Sequence, residues 1–188
     1  TIITKNEEKN IARCLESVKW ADEIVVLDTN STDRTVEICR QFTDQVFCVD
    51  WHGYGKQKNL CAGRTSNNWV LNIDSDEEIS SEGAEEIQAV LRGDSKYTVY
   101  QFPRKNFFAQ RWVSYGGWYP DQTSRLYDKT QVSFTESQVH EKLVPNENVG
   151  SLKNAILHYS YSGMGDYIDR QNRYSTLYAS EKIGKGFR

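Results

Sequence analysis

The sequence predicts an α/β fold around a mostly parallel central sheet, with helices on both faces and a small antiparallel extension. Two patterns lead there. Through the first 93 residues, short continuous apolar runs alternate with stretches whose apolar residues recur at helical spacing, the mark of strands and helices in alternation. Further along, strand-like segments follow one another with few helical patterns between them, which suits an antiparallel addition to the same sheet. A chain of 188 residues, 38% of them hydrophobic, can bury one sizeable core and is too short to expect two.

Taken in order, Thr1-Ile2-Ile3 opens inside a strand and without Met, which implies residues ahead of Thr1. Ile11, Leu15 and Val18 mark a helix over 10–20, and the apolar run 24–27 is a buried strand. Ser31 and Thr32 are placed to cap a second helix bearing Val36, Cys39 and Phe42 on one face, and 46–49 form the next strand. A short helix over 56–63 precedes a strand over 69–74; Ala84, Ile87, Val90 and Leu91 then mark a helix that stops at Gly93. Strands are expected over 97–102, 111–115, 124–127 and 152–159. In the last segment, 165–188, Tyr167, Ile168, Gln171 and Tyr174 recur at helical spacing beside Arg170 and Arg173. Such a basic amphipathic helix either packs on the core or lies against an anionic lipid surface. Residues 1–164 form the main domain and 165–188 this C-terminal helical segment.

Composition removes several classes. With 23 Lys and Arg against 26 Asp and Glu, the net charge is −3, so no basic field argues for nucleic acid. Cys14, Cys39, Cys48 and Cys61 show no CxxC spacing and read as buried thiols in a reducing, cytoplasmic setting. No apolar run approaches the roughly 20 residues that span a bilayer, and no signal-peptide pattern is present.

The chemistry concentrates in "VLNIDSDEEI", residues 70–79. Asp74 and Asp76 end an apolar strand, the place where an α/β sheet presents groups to a ligand, and paired carboxylates there suit a hard divalent cation. The alternative is that Asp76, Glu77 and Glu78 merely complement the N-terminus of the next helix, a reading that suits Glu77 and Glu78 best. Asp28 ends an earlier strand in the same way and directs a second carboxylate at the same sheet edge. Gly-rich phosphate loops of the GxGxxG and GxxxxGK[ST] types do not occur.

Four blocks in order, "TIITKNEEKNIARCLESV", "IVVLDTNSTDRTVEIC", "GYGKQKNLCAG" and "WVLNIDSDEEIS", resemble the inverting glycosyltransferases of family 2, whose fold is the GT-A nucleotide-diphospho-sugar transferase fold. "WYPDQTSRLYDK", "VHEKL" and "ILHYSYS" are similar to the subgroup with the lipopolysaccharide-core β-glucosyltransferases. The resemblance implies hexose transfer from a UDP-sugar donor to the hydroxyl of a glycan or glycolipid acceptor, assisted by Mn²⁺ or Mg²⁺. It places the nucleotide on Thr4, Asn6, Glu7, Asp28, Lys56, Asn59, Asp74 and Ser75, with Lys58 able to take the role of Lys56. It gives the cation to Asp74, Asp76 and His158, and the catalytic base to Glu141 of the Val139-His140-Glu141 stretch, with Asp121 as rival. It makes Gly116-Gly117 the acceptor loop and nominates Trp118 and Tyr119 as an apolar platform for the acceptor sugar, while Arg125 faces either a buried acid or a phosphate. Competing expectations are a nucleotidyl or sugar-phosphate transferase in the same crevice, and a nucleotide-sugar-binding protein without catalysis.

Overall fold

The computed structural model describes residues 1–93, 95–136, 141–145 and 147–184. The first half runs β1 (Ile2–Thr4), α1 (Ile11–Ser17), β2 (Val26–Asp28), α2 (Thr35–Cys39), β3 (Val46–Cys48), α3 (Tyr54–Ala62), β4 (Trp69–Leu71), β5 (Ile73–Asp74), β6 (Glu77–Ile79) and α4 (Ser81–Arg92). The second half runs β7 (Val99–Phe108), β8 (Arg111–Trp112), β9 (Asp121–Asp128), β10 (Ser133–Phe134), β11 (Leu143–Val144), β12 (Val149–Ser151), β13 (Ile156–Tyr161) and α5 (Met164–Gly184).

Strands β3, β2, β1 and β5 pair in that order, all parallel. Strand alternation explains how both faces become covered. Ile2 turns to one side and packs with Ile11, Cys14 and Leu15 of α1, while its neighbour Ile3 turns to the other and packs with Cys61 of α3. A second, mixed sheet runs β4-β9-β7-β13-β6, with β8 and β12 also on β7. The antiparallel extension expected from the sequence is thus a whole second sheet.

The two sheets meet in one stretch of chain. The strand expected over 69–74 divides at Asn72: β4 pairs antiparallel with β9, whereas β5 pairs parallel with β1. Asn72 is fully buried, and its N–H donates to the Arg125 carbonyl at 2.8 Å. The chain then turns through Ser75 and Asp76 and returns as β6, antiparallel to β13 with Glu77 opposite His158. Asp74 and Asp76 therefore stand where the parallel sheet hands over to the mixed one.

Three local expectations change. Glu77 and Glu78 belong to β6 and not to a helix start; Ser80 caps α4, accepting the Gly83 N–H at 3.1 Å. Cys48 lies exposed on the edge strand β3, so only Cys14, Cys39 and Cys61 are buried thiols, Cys39 being pushed by burial up to about 12. The last strand begins at Ile156, four residues later than expected, because Leu152 is buried just beyond the short strand β12.

Gly55, in the first turn of α3, lets this helix touch the segment after β10: a Cβ there would meet the Thr135 carbonyl oxygen at 1.7 Å, with the Glu141 Cβ at 3.3 Å. Gly55→Ala is expected to cost about 1–3 kcal/mol through this backbone overlap, read by urea denaturation.

Candidate active site

The carboxyl ends of β1, β2 and β5 place Thr4, Asp28 and Asp74 along one edge, since Thr4 pairs with Asp28 and Ile3 with Asp74 in register. The loop after β1 is tied to the loop after β2. Asn6 accepts the Thr32 N–H and donates its own N–H to Ser31 Oγ, both at 2.8 Å, and the Glu7 N–H donates to Thr35 Oγ1 at 2.8 Å. Asp28, fully buried, accepts the Ser31 N–H at 2.8 Å and closes its own loop. The nucleotide candidates Thr4, Asn6, Glu7 and Asp28 are thereby held on one rim.

Beside this rim lies a continuous network of charged side chains. Lys58 of α3, 2% exposed, sets its Nζ 2.7 Å from Glu141 Oε1 and 3.2 Å from Asp74 Oδ1. Arg125 of β9 pairs with Asp74 and, at 2.6 Å, with Glu77. Arg104 of β7 joins Glu77 at 3.2 Å to Asp121 at 2.7 Å. Asn106, two residues on and so on the same strand face, donates to Asp121 Oδ2 at 3.0 Å and meets His158 Nδ1 through its Oδ1 at 2.6 Å. The other ring nitrogen, Nε2, stands 3.5 Å from Asp76 Oδ1. Arg170 of α5 ends the network, 3.2 Å from Asp76 and 2.9 Å from Asp166.

The protonation pattern follows. Burial alone would raise Asp74, but Arg125 and Lys58 outweigh it and hold this carboxyl well below the usual range. Asp76 is lowered in the same way, burial being overcome by His158, and His158 is correspondingly raised by Asp76 against the effect of its own burial. Asp121 is lowered, burial being overcome by Asn106 and Arg104. Glu7 goes the other way, raised by burial and then by the nearby Asp76.

A buried charge stripped of its partner is costly, so Arg125, 4% exposed against a fully buried Glu77, acts as the pillar of this network. Arg125→Met is expected to destabilise the fold by about 3 kcal/mol, since Arg104 and Lys58 retain part of the compensation; equilibrium unfolding in urea checks it.

The sequence-based candidates fall into groups. Asp74, Asp76, His158, Asp121 and Glu141 come together in the network. Lys56 is exposed, and the neighbouring Lys58 holds the inward position instead. Asn59 is spent on structure: its amide group donates to the Phe134 carbonyl and accepts the Phe134 N–H, each at 2.8 Å, pinning β10 to α3. Ser75 is buried in the turn between the two aspartates. His140 lies outside the described residues. Glu77, Arg104, Asn106 and Arg170 are not among the expected site residues, and no local pattern singles them out: β7 carries Gln101 and Lys105 as well as Arg104 and Asn106.

Among the described residues no three His, Cys, Asp or Glu are grouped to hold a metal ion. Asp74 pairs with Arg125 and Lys58, while Asp76, which also meets Arg170, faces His158. A carboxylate with an imidazole nitrogen can hold a divalent cation that completes its shell with substrate phosphate oxygens and water.

Gly116 and Gly117, at φ 67° and 79°, carry the backbone through the left-handed region before β9. The loop presents an aromatic ledge: Tyr115 is 85% and Trp112 45% exposed, Tyr119 packs edge-on against Trp112 at 5.4 Å, and Trp118 against Tyr161 at 6.1 Å. Asn106 also donates to the Trp118 carbonyl at 3.2 Å, so this ledge is tied to the charged network.

Residues 1–142 match the family described as Glycosyl transferase family 2. The chain belongs to glycosyltransferase family 2. A glycosyltransferase of Rickettsia typhi is 34% identical over 207 residues, 98% of this chain and 68% of that protein. The lipopolysaccharide core biosynthesis glycosyltransferase LpsC of Rhizobium meliloti is 30% identical over 199 residues, 100% of this chain and 72% of LpsC. Among solved structures, S. aureus TarS in complex with UDP-GlcNAc shares the fold at a TM-score of 0.63 and 19% identity, covering 89% of this chain and 59% of that one. Glucosyl-3-phosphoglycerate synthase from Mycobacterium tuberculosis, solved with Mn²⁺, UDP and glucosyl-3-phosphoglycerate, shares it at 0.60 and 16%, covering 92% and 74%. The fold is thus the GT-A fold of this family, and the protein is a glycosyltransferase. No helix among the described residues of this family 2 enzyme is long and apolar enough to cross a membrane.

Proposed function

We propose that this family 2 enzyme transfers a hexose from a UDP-sugar to a hydroxyl of a glycan or glycolipid acceptor, with inversion, in lipopolysaccharide or other cell-surface glycan synthesis. The observation that carries the reading is the meeting of the nucleotide rim, Thr4 to Glu7 with Asp28, and the Asp76–His158 pair at one sheet edge. Similarity to LpsC supports the glycan class. Three buried free thiols suit a reducing cytoplasm.

Asp76 and His158 would hold Mn²⁺ or Mg²⁺, which supplies Lewis-acid stabilisation of the departing diphosphate. Lys58 and Arg125 keep Asp74 ionised and fixed at the end of β5. Glu141 serves as general base, accepting the proton of the acceptor hydroxyl. Lys58 engages its Oε1, and among the described residues Oε2 accepts no hydrogen bond. Asp121 is less suited, because Oδ2 takes two hydrogen bonds from Arg104 and one from Asn106, and a carboxylate so stabilised is a weak base. Its role is to orient Arg104 and Asn106, and through Asn106 the ring of His158. The aromatic ledge of Trp112, Tyr115, Trp118 and Tyr119 receives the acceptor sugar.

A panel of nucleotide sugars tested for thermal stabilisation with and without Mn²⁺ checks the reading. UDP-hexoses should raise Tm in the presence of Mn²⁺; stabilisation by none of them would overturn it. Release of UDP, in place of UMP or pyrophosphate, separates glycosyl from nucleotidyl transfer.

A further inference from the structure

We propose that Arg170, on the C-terminal helix α5, is a donor-binding residue that grips the diphosphate of the nucleotide sugar. The inference rests on the donor reading above and lies beyond residues 1–142, the part of the chain that matches the family. A diphosphate joins the nucleoside to the sugar and carries the cation, so it must lie between the rim that ends in Glu7 and the carboxylate of Asp76. Arg170 occupies that interval: Nη1 is 3.2 Å from Asp76 Oδ2 and Nη2 4.0 Å from Glu7 Oε1. Its Nε is anchored 2.9 Å from Asp166 Oδ1, one turn earlier on the same helix, so the fork can change partners while its base stays fixed.

Chemistry and topology agree with this placement. A guanidinium offers a planar fork that matches phosphate oxygens two at a time. The other cations of the network are committed elsewhere: Lys58 to Asp74 and Glu141, Arg125 to Asp74 and Glu77, Arg104 to Glu77 and Asp121. One further turn along, Tyr174 comes near Tyr54 at the start of α3, so α5 runs from the Asp76 corner towards α3. With a cation held at Asp76, Arg170 would exchange that carboxylate for the diphosphate oxygens.

The test uses the whole chain in Mn²⁺, with UDP titrated by calorimetry and uridine by ligand-observed NMR. Arg170→Gln should weaken UDP by about 10- to 100-fold and leave uridine unchanged, with Arg170→Lys recovering part of the loss. Undiminished UDP affinity in Arg170→Gln overturns the inference, as does a gain, which would make Arg170 a plug competing with the cation. An equal loss for uridine also overturns it, by showing a general disturbance of the rim. If the unmodified protein fails to bind UDP, the donor reading itself falls, and that result is distinct from the others.

Discussion

Glu141→Gln is expected to lower turnover by about 10²- to 10⁴-fold while leaving UDP affinity within about twofold. The amide keeps the shape of the side chain and its oxygen can still accept from Lys58, 2.7 Å away, so the segment should stay docked on α3. What is lost is the capacity to accept a proton from the acceptor hydroxyl. Asp121→Asn makes the control: it removes the anion that Arg104 and Asn106 share, and its effect should appear in stability and donor binding as much as in turnover. Single-turnover rates with saturating donor separate the two variants. Unchanged turnover in Glu141→Gln would remove it as base.

The second large effect is expected at the corner between the sheets. Asp76→Asn should weaken Mn²⁺-dependent UDP binding by about 100-fold, as the loss of several kcal/mol of charge stabilisation implies. The variant keeps the backbone contact that fixes the turn, the Tyr159 N–H donating to the residue-76 carbonyl at 3.0 Å, so the turn should keep its shape at some cost in stability. It loses the carboxylate that faces His158 and Arg170. UDP affinity measured with and without Mn²⁺ should therefore converge in the variant and stay apart in the unmodified protein.

Much of the first half was legible because a buried parallel strand and an amphipathic helix have different periods, and β1 to α4 follow them in the expected order. The division of 69–74 at Asn72 was not legible, since Trp69 to Ile73 reads as one strand and only the pairing partners of its two parts differ. Glu77 was misread because an acid just ahead of a helix usually belongs to it, whereas here the chain makes one more strand before Ser80 caps α4. On α3 the choice between Lys56 and Lys58 depends on the phase of a helix whose apolar stripe is weak, with Leu60 exposed and Gln57 buried. The pairing of Lys58 with Glu141 joins residues 83 apart, and that of Arg170 with Asp76 residues 94 apart. Such contacts arise from topology, and no local pattern encodes them.

The proposed nucleotide-diphosphate site is cation-assisted and centred on Asp76, at the edge of the parallel sheet. Calorimetric titration of the unmodified protein with UDP, in Mn²⁺ and again in EDTA, decides whether the cation takes part. One UDP should bind per chain, at least about tenfold more tightly with Mn²⁺. Equal affinity under both conditions, or no binding in either, would contradict it.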